Sequence, residues 1–185
     1  MSWINNDGLR VKFGTEQASV GKGGEWMTMS GVCSISFNIL AADLGSATVA
    51  ILGSVGGSTY NGSNGVQVPE GARIKGLDIY TQTAFTSTGT IATASVEIGL
   101  IKWSDFVTEL DYDGFTTATF VGNRIDAVGE RTYVEVGTTG AGALIGTTLS
   151  EDGVISVRAA QHASHPLAAG VLNCRLDFYY PGTSS

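Results

Sequence analysis

Basic residues are scarce in this sequence, and they do not cluster. Charged residues make up 15% of the 185 positions, and 10 Lys and Arg stand against 17 Asp and Glu, for a net charge of −7. The densest basic spot is the pair Arg73 and Lys75. A nucleic-acid interface needs a basic stripe that displaces counterions, and an anionic membrane surface would repel an acidic chain. We therefore expect no nucleic-acid partner and no membrane partner.

Long apolar runs and cysteines are also few. No stretch approaches the roughly 18 apolar residues of a membrane-spanning helix, and the first residues lack the charged and apolar regions of a secretory signal. We expect synthesis in a cytoplasm. The only cysteines, Cys33 and Cys174, are then expected to be reduced, buried, small hydrophobic residues rather than a disulfide.

Motifs of catalysis and cofactor binding are missing. The glycine-rich segment 21–24 lacks the upstream glycine and the Ser or Thr of a phosphate-binding loop. Segment 137–142 has the wrong spacing for a dinucleotide fingerprint, and no nucleophile motif surrounds a serine or cysteine. We expect no enzymatic activity and no cofactor.

Two groups of residues could be considered metal ligands. His162 and His165 are close in sequence, but Pro166 favours an ordinary loop over a zinc site, so we expect no metal there. The acidic segment from Asp105 to Asp113 allows two interpretations, an irregular calcium site or an exposed acidic turn, and its order does not fit an EF-hand. The sequence alone leaves this choice open.

What the sequence does contain is alternating polarity between glycine-rich turns. Apolar residues make up 43% of the chain, and there are 26 glycines. The segment from Val171 to Tyr180 has the period of two that is typical of a strand with one buried side. Its predicted inward residues are Leu172, Cys174, Leu176, Phe178 and Tyr180, and its predicted outward residues are Asn173, Arg175 and Asp177.

The spacing of such segments predicts an all-β fold with about eight strands, as in sandwiches and jelly rolls. We expect a single jelly-roll-like β-sandwich over residues 33–185, preceded by an extended N-terminal arm over residues 1–32. A loop is predicted from Ala160 to Gly170. The strands are predicted at 9–13, 34–39, 47–52, 72–83, 90–103, 116–121, 131–136, 153–159 and 171–180.

The N-terminal arm contains tryptophans, which are uncommon in solvated loops. We interpret it as an assembly arm that packs onto another subunit, and the alternative is a first strand followed by a surface loop. The candidate contact residues of the arm are Trp3, Ile4, Leu9, Val11, Phe13 and Trp26.

Several segments together resemble a known group of proteins. They are Asp7–Glu16 followed by a glycine-rich arm, Val68–Ile74, Ser95–Leu100 before the acidic segment, Leu149–Ile155 and the closing Ala168–Tyr180. The whole resembles small β-rich structural proteins of tailed bacteriophages, of the podovirus and cyanophage type. The resemblance is one of pattern, so it carries over no functional residues. It implies a head-decoration (cement) protein with a jelly-roll or β-sandwich fold, commonly a trimer.

The resemblance leads to a functional expectation. We expect a virion protein, made in the host cytoplasm, that binds the major capsid protein on the outside of the head and associates with itself as a homotrimer or another symmetric homo-oligomer. One alternative is a tail- or fibre-associated receptor module that binds glycans through the loop aromatics Tyr60 or Tyr112. A weaker alternative is a tail-tube or head-completion subunit.

Overall fold

The computed structural model describes residues 2–4, 10–13, 25–29, 32–41, 49–52, 67–87, 95–105, 108–117, 125–160 and 167–180. Every secondary-structure element in these ranges is a strand. No helix in this part of the chain has the length and apolar character that crossing a membrane requires. The predicted all-β class is confirmed.

Four strands of the described residues are not predicted from the sequence: Ser2–Ile4, Glu25–Met29 and Gln67–Val68 are short, and Glu109–Thr116 overlaps the acidic segment. The strands are β1 (Ser2–Ile4), β2 (Arg10–Phe13), β3 (Glu25–Met29), β4 (Val32–Leu40), β5 (Val49–Leu52), β6 (Gln67–Val68), β7 (Arg73–Ser87), β8 (Ser95–Lys102), β9 (Glu109–Thr116), β10 (Arg131–Glu135), β11 (Gly153–Ala160) and β12 (Leu167–Tyr179).

Two antiparallel sheets pack against each other. The larger sheet has the order β1-β2-β3-β4-β12-β7-β10, and the smaller has the order β5-β11-β8-β9, with β6 paired to β11. Within the larger sheet, β4 pairs with β12 and β7 with β10. Within the smaller sheet, β5 pairs with β11 and β8 with β9, so the first strand of the set pairs with the last, the second with the last but one, and so on. This nesting arises when one long antiparallel hairpin is rolled over into two layers, which is the jelly-roll arrangement. The predicted jelly-roll-like sandwich is confirmed.

The N-terminal strands lengthen the larger sheet. β3 pairs with β4, β2 with β3, and β1 with β2. The described part of the predicted arm is therefore hydrogen-bonded to the sandwich at β4, and the strand predicted at 9–13 corresponds to β2. The division of the chain between residues 32 and 33 stays a prediction.

The core lies between the facing sides of the two sheets. Strand β12 contributes Leu172, Leu176 and Phe178, whose side chains are all 0% exposed. Burial of each such side chain is worth about 1.5–3 kcal/mol of hydrophobic free energy. Cys33 and Cys174 are both buried, as predicted, and no disulfide joins them; burial raises the pKa of the Cys174 thiol. The largest fully buried side chains are Phe85, Phe115, Phe178, Ile35, Ile39, Ile74, Leu77, Ile79, Ile98, Leu100 and Ile101.

Strand β12 begins earlier than the sequence predicts. Leu167 is buried and pairs with Ser87 of β7, although a loop is predicted from Ala160 to Gly170. The register between β12 and β7 shifts repeatedly between Leu167 and Leu172. Each β-bulge interrupts the period of two, so this part of the strand has no alternating pattern to detect. The prediction of a loop at Leu167–Gly170 is wrong.

Strand β9 overlaps the acidic segment from Asp105 to Asp113, for which the sequence allows either a calcium site or an exposed turn. Asp111 pairs with Leu100 of β8, and Thr116 pairs with Ile98, so the four residues from 112 to 115 stand opposite Gly99 alone. A Cβ atom on Gly99 would lie 1.9 Å from the carbonyl oxygen of Asp111. The bulged backbone of β9 therefore crosses β8 in direct contact with this glycine. The interpretation as an exposed turn is wrong for Asp111–Asp113.

The segment after β10 closes one side of the sandwich. The N–H of Thr117, directly after β9, donates to the carbonyl of Gly140 at 2.9 Å, and the N–H of Leu144 donates to the carbonyl of Gly114 in β9 at 2.8 Å. The chain then returns to the larger sheet, where the N–H of Gly146 donates to the carbonyl of Ile74 at 2.9 Å. The glycine-rich segment 137–146 is thus bonded to the region of β9 in the smaller sheet and to β7 in the larger sheet.

Replacement of Gly99 by Ala should destabilise the protein by about 2 kcal/mol or more, since backbone atoms of β9 must move to admit the methyl group. Gly129→Ala is the matched control. Gly129 has a φ of 90° but nothing within 4 Å of its Cβ position, so only the backbone strain of about 1 kcal/mol should appear. Urea unfolding measures both variants. Equal stability of Gly99→Ala and the wild type would contradict the crossing of β9 over β8.

Candidate functional site

The outer face of the larger sheet carries the densest polar network among the described side chains. Strand register places directly paired residues of β4, β12, β7 and β10 on one face. We call this set the outer face; it comprises Ser34, Ser36, Asn38, Asn173, Arg175, Asp177, Asp78, Tyr80, Gln82, Arg131, Tyr133 and Glu135.

Asp78 of β7 lies at the centre of the outer face. Its carboxylate accepts two hydrogen bonds from Arg131 of β10, from Nε at 2.9 Å and from Nη2 at 2.5 Å. Nη2 of Arg175 lies 3.7 Å from the same carboxylate. The hydrogen bonds from Arg131 lower the pKa of Asp78, and they outweigh the effect of its burial. Asp78 is therefore a fixed anion between two arginines.

A second carboxylate extends this network across β12. Arg175 Nε lies 3.1 Å from Asp177 Oδ1, and Ser34 Oγ of β4 donates to the same oxygen at 2.6 Å. Asp177 faces outward, as predicted, yet it is only 6% exposed, because its neighbours cover it. The network thus joins β10, β7, β12 and β4, and its charges neutralise one another.

Tyrosines border the network. Tyr80 of β7 and Tyr133 of β10 are 40% and 36% exposed. The hydroxyl of Tyr133 would lie 2.8 Å from a Cβ atom on Gly76, so its ring lies across β7 where that residue has no side chain. Burial, followed by the nearby charge of Asp177, raises the pKa of Tyr133. An open depression of about 530 Å³ lies beside Tyr80.

The carboxylates of this network are occupied by neighbouring side chains. Each carboxylate of the network is held by an arginine, so neither is free to act as a general base at neutral pH. Within the described ranges, no group of three or more His, Cys, Asp or Glu side chains could hold a metal ion. The outer face can offer an aromatic ring, amides and oriented charges to a ligand or a protein surface.

Five of the six assembly residues predicted from the sequence fall on β1, β2 and β3. Trp3 pairs with Val11, Ile4 lies in β1, and Phe13 pairs with Glu25. Trp26 pairs with Ile35 of β4. Leu9 lies outside the described residues. The strands bring these positions together next to β4, but their contact with another subunit stays a prediction.

The other predicted sites have different outcomes. Tyr60 and the two histidines lie outside the described residues. Tyr112 is partly buried and packs against the cluster of Ile101 and Val154, so it is not a free aromatic platform. Asp105 accepts hydrogen bonds from the N–H and the hydroxyl of Thr108.

Asp111 and Asp113 form a hydrogen-bonded carboxyl pair on the bulge of β9. Burial, followed by the hydrogen bond to Asp113 and its charge, raises the pKa of Asp111 to about 6. Two like charges at close range disfavour full ionisation of the pair. Near neutral pH, the carboxylates of Asp111 and Asp113 therefore repel each other where β9 contacts Gly99.

Sequence reasoning missed Asp78, Tyr80, Arg131 and Tyr133 as site residues. The available signal was the outward set Asn173, Arg175 and Asp177 on β12, because any strand beside β12 adds its own outward residues to that face. The neighbours of β12 are set by the strand order of the sheet, and the periodicity of a single sequence does not reveal that order.

No protein family, curated protein or solved structure matches this chain. The inferences about function therefore rest on the geometry above and on the resemblance noted from the sequence.

Replacement of Asp78 or Asp111 by Asn should change the pH dependence of stability in opposite directions. The lowered pKa of Asp78 stabilises the fold above the unfolded value of about 4, and this is lost as the pH falls through the folded pKa. The raised pKa of Asp111 stabilises the fold below about pH 4 and is lost as the pH rises through about 6.

At about pH 7, Asp78→Asn should therefore be less stable than the wild type, and Asp111→Asn more stable, each by about 1 kcal/mol because both groups remain partly solvated. The Asp111→Asn difference should shrink as the pH falls from about 6 to about 4, and the Asp78→Asn difference should shrink only below about pH 4. Urea unfolding at several pH values provides the measurement. If the free energy of unfolding of the two variants depended on pH in the same way, the environments assigned to Asp78 and Asp111 would be incorrect.

Proposed function

We propose that this protein is a virion structural protein of a tailed bacteriophage, a decoration or cement protein that binds the outside of the head and stabilises it. The observation that carries the proposal is the extension of the jelly-roll sheet by the three N-terminal strands. These strands hold five of the six residues predicted for assembly, and a sheet enlarged at one edge offers a broad contact surface. The resemblance to phage structural proteins supports the same function.

The surface of the described residues is compatible with adhesion. The charges of Asp78, Asp177, Arg131 and Arg175 neutralise one another, whereas Val128 and Val136 are 67% and 71% exposed. These two valines lie beyond the opposite ends of β10 and add apolar area at that edge of the sheet. The proposed partners are the major capsid protein and other copies of this chain in a symmetric oligomer. The proposed location is the capsid surface, after synthesis in the host cytoplasm.

Purified protein should bind phage heads that lack it and should raise the temperature at which those heads release DNA. Trp3→Ala should weaken this binding by roughly tenfold, because truncation of an aromatic side chain that contacts a partner typically costs about 1–3 kcal/mol. Tyr60→Ala is the matched control and should bind normally. Co-sedimentation with heads measures both. No binding to heads, or a copy number of only about a dozen per virion, would refute a decoration function.

The second candidate function is a tail- or fibre-associated module that binds glycans. The depression beside Tyr80 favours it, because an exposed ring surrounded by Asn38, Asn173 and Gln82 offers stacking together with amide hydrogen bonds. Binding on a glycan array that is lost in Tyr80→Ala and retained in Tyr179→Ala would support this function over decoration. Absence of binding by the wild type would reject it.

A further inference from the structure

One row of side chains crosses four strands of the outer face. Asn173 of β12 lies directly opposite Asn38 of β4 on one side and Tyr80 of β7 on the other. Tyr80 in turn lies opposite Arg131 of β10. Neighbouring strands are about 4.8 Å apart, so this row is about 14 Å long. A row of that length can contact more than one ring of a saccharide.

The amide side chains in and beside this row are open to a ligand. Asn38, Asn173 and Gln82 all line the depression of about 530 Å³ beside Tyr80. Within the described ranges, no hydrogen bond holds any of these three side chains. Each amide has two N–H donors and a carbonyl acceptor. Hydroxyl groups, which both donate and accept, can satisfy all of these groups.

The charge that the outer face presents to solvent at this depression is positive. The carboxylates of Asp78 and Asp177 balance the two arginines in number, but their side chains are only 11% and 8% exposed. The side chains of Arg131 and Arg175 are 65% and 48% exposed. A ligand at this surface therefore meets guanidinium groups before carboxylates, which favours a negative charge on the ligand.

Each arginine is held by one edge of its guanidinium and keeps the other edge for a ligand. Arg131 uses Nε and Nη2 to bind Asp78, and Arg175 uses Nε and Nη2 to bind Asp177. Neither Nη1 has a hydrogen-bond partner among the described residues. A guanidinium that is already held in place loses less conformational entropy when it binds a ligand.

The two guanidiniums are close enough to bind one anion together. Nη2 of Arg131 lies 2.5 Å from Oδ2 of Asp78, and Nη2 of Arg175 lies 3.7 Å from the same oxygen. Both arginines also line the depression. The ring of Tyr80, which is 40% exposed, lies in the row between Asn173 and Arg131. It offers an apolar surface on which the C–H face of a sugar can pack.

We propose that this depression binds an acidic saccharide, with a sugar ring on Tyr80 and the carboxylate of that sugar bound by Arg131 and Arg175. Asn38 and Asn173 bind hydroxyl groups of the adjoining sugar. The inference rests on the second candidate function, glycan binding, and specifies its ligand as a saccharide that contains carboxylate-bearing sugars. It does not depend on binding to phage heads.

A pair of probes that differ only in charge tests the proposal. The tetramer of galacturonic acid carries four carboxylates, and its methyl ester has the same rings and hydroxyls without the charge. NMR titration of the full chain, up to about 10 mM of each probe, follows the side-chain amide signals of Asn38 and Asn173. The acid should bind about tenfold more tightly than the ester, because hydrogen bonds between ionised groups are stronger than neutral ones.

A charge-balanced variant tests the role of the arginine. Asp78→Asn/Arg131→Gln removes one negative and one positive charge, so the net charge of the protein is unchanged. It should lose most of the preference for the acid and keep the affinity for the ester. The matched control is Lys102→Gln/Glu151→Gln, which removes the ion pair of 3.0 Å between β8 and Glu151 and should keep the full preference.

A second pair of variants tests the aromatic surface. Tyr80→Ala should weaken binding of both the acid and the ester, because both place a sugar ring on Tyr80. Tyr179→Ala removes a ring of similar exposure, 45%, that does not line the depression, and it should bind both probes like the wild type. The comparison of acid with ester on the wild type needs no variant, so a folding defect cannot conceal a failure.

Four results would overturn the proposal. Equal affinity for acid and ester would reject the acidic ligand and leave glycan binding in place. Binding of neither probe would also reject it, and the glycan array would then decide the second candidate function separately. An unchanged preference in Asp78→Asn/Arg131→Gln would exclude Arg131 as a ligand of the carboxylate. A tetraglutamate peptide that bound as tightly as the acid, and equally well to Tyr80→Ala, would show that the surface recognises acidic protein segments instead.

Discussion

The structure depends on the burial of β12 between β4 and β7. Among the described residues, β12 is the one strand that pairs with both β4 and β7. Its inward side chains Leu172, Leu176 and Phe178 are completely buried. β4 carries the three N-terminal strands, and β7 carries β10. Loss of β12 would therefore separate the proposed assembly strands from the β10 edge and divide the outer face in two.

The jelly-roll arrangement also determines where function can lie. The space between the sheets is filled by apolar side chains, so polar chemistry is confined to the outer surfaces and the edges. On the outer face, Asp78 and Asp177 are already held by arginines. At the β10 edge, the backbone of Arg131 and Tyr133 has no partner among the described residues. The outer face thus stabilises the sheet by joining four of its strands.

The sequence predicts those parts of the fold in which burial follows a regular period. The alternation along β12 and β4 identifies their buried faces correctly, including Cys33 and Cys174. It fails at Leu167, where bulges interrupt the period, and in β9, whose burial comes from a backbone that crosses Gly99. The candidate site was not predictable because Asp78, Arg131 and Arg175 meet only after three strands far apart in sequence pair. The roles of the N-terminal tryptophans stay predictions.

Residue-resolved amide exchange by NMR tests this account most directly, because it reports each backbone hydrogen bond separately. The account predicts slow exchange throughout the interior of β12 and alternation in β10, whose backbone groups point alternately to β7 and away from it. The amides of Thr132 and Val134 exchange slowly, and those of Arg131 and Tyr133 exchange fast. Uniformly fast exchange along β12, or equal protection of all four β10 amides, would contradict the central position of β12 and the position of β10 at the edge.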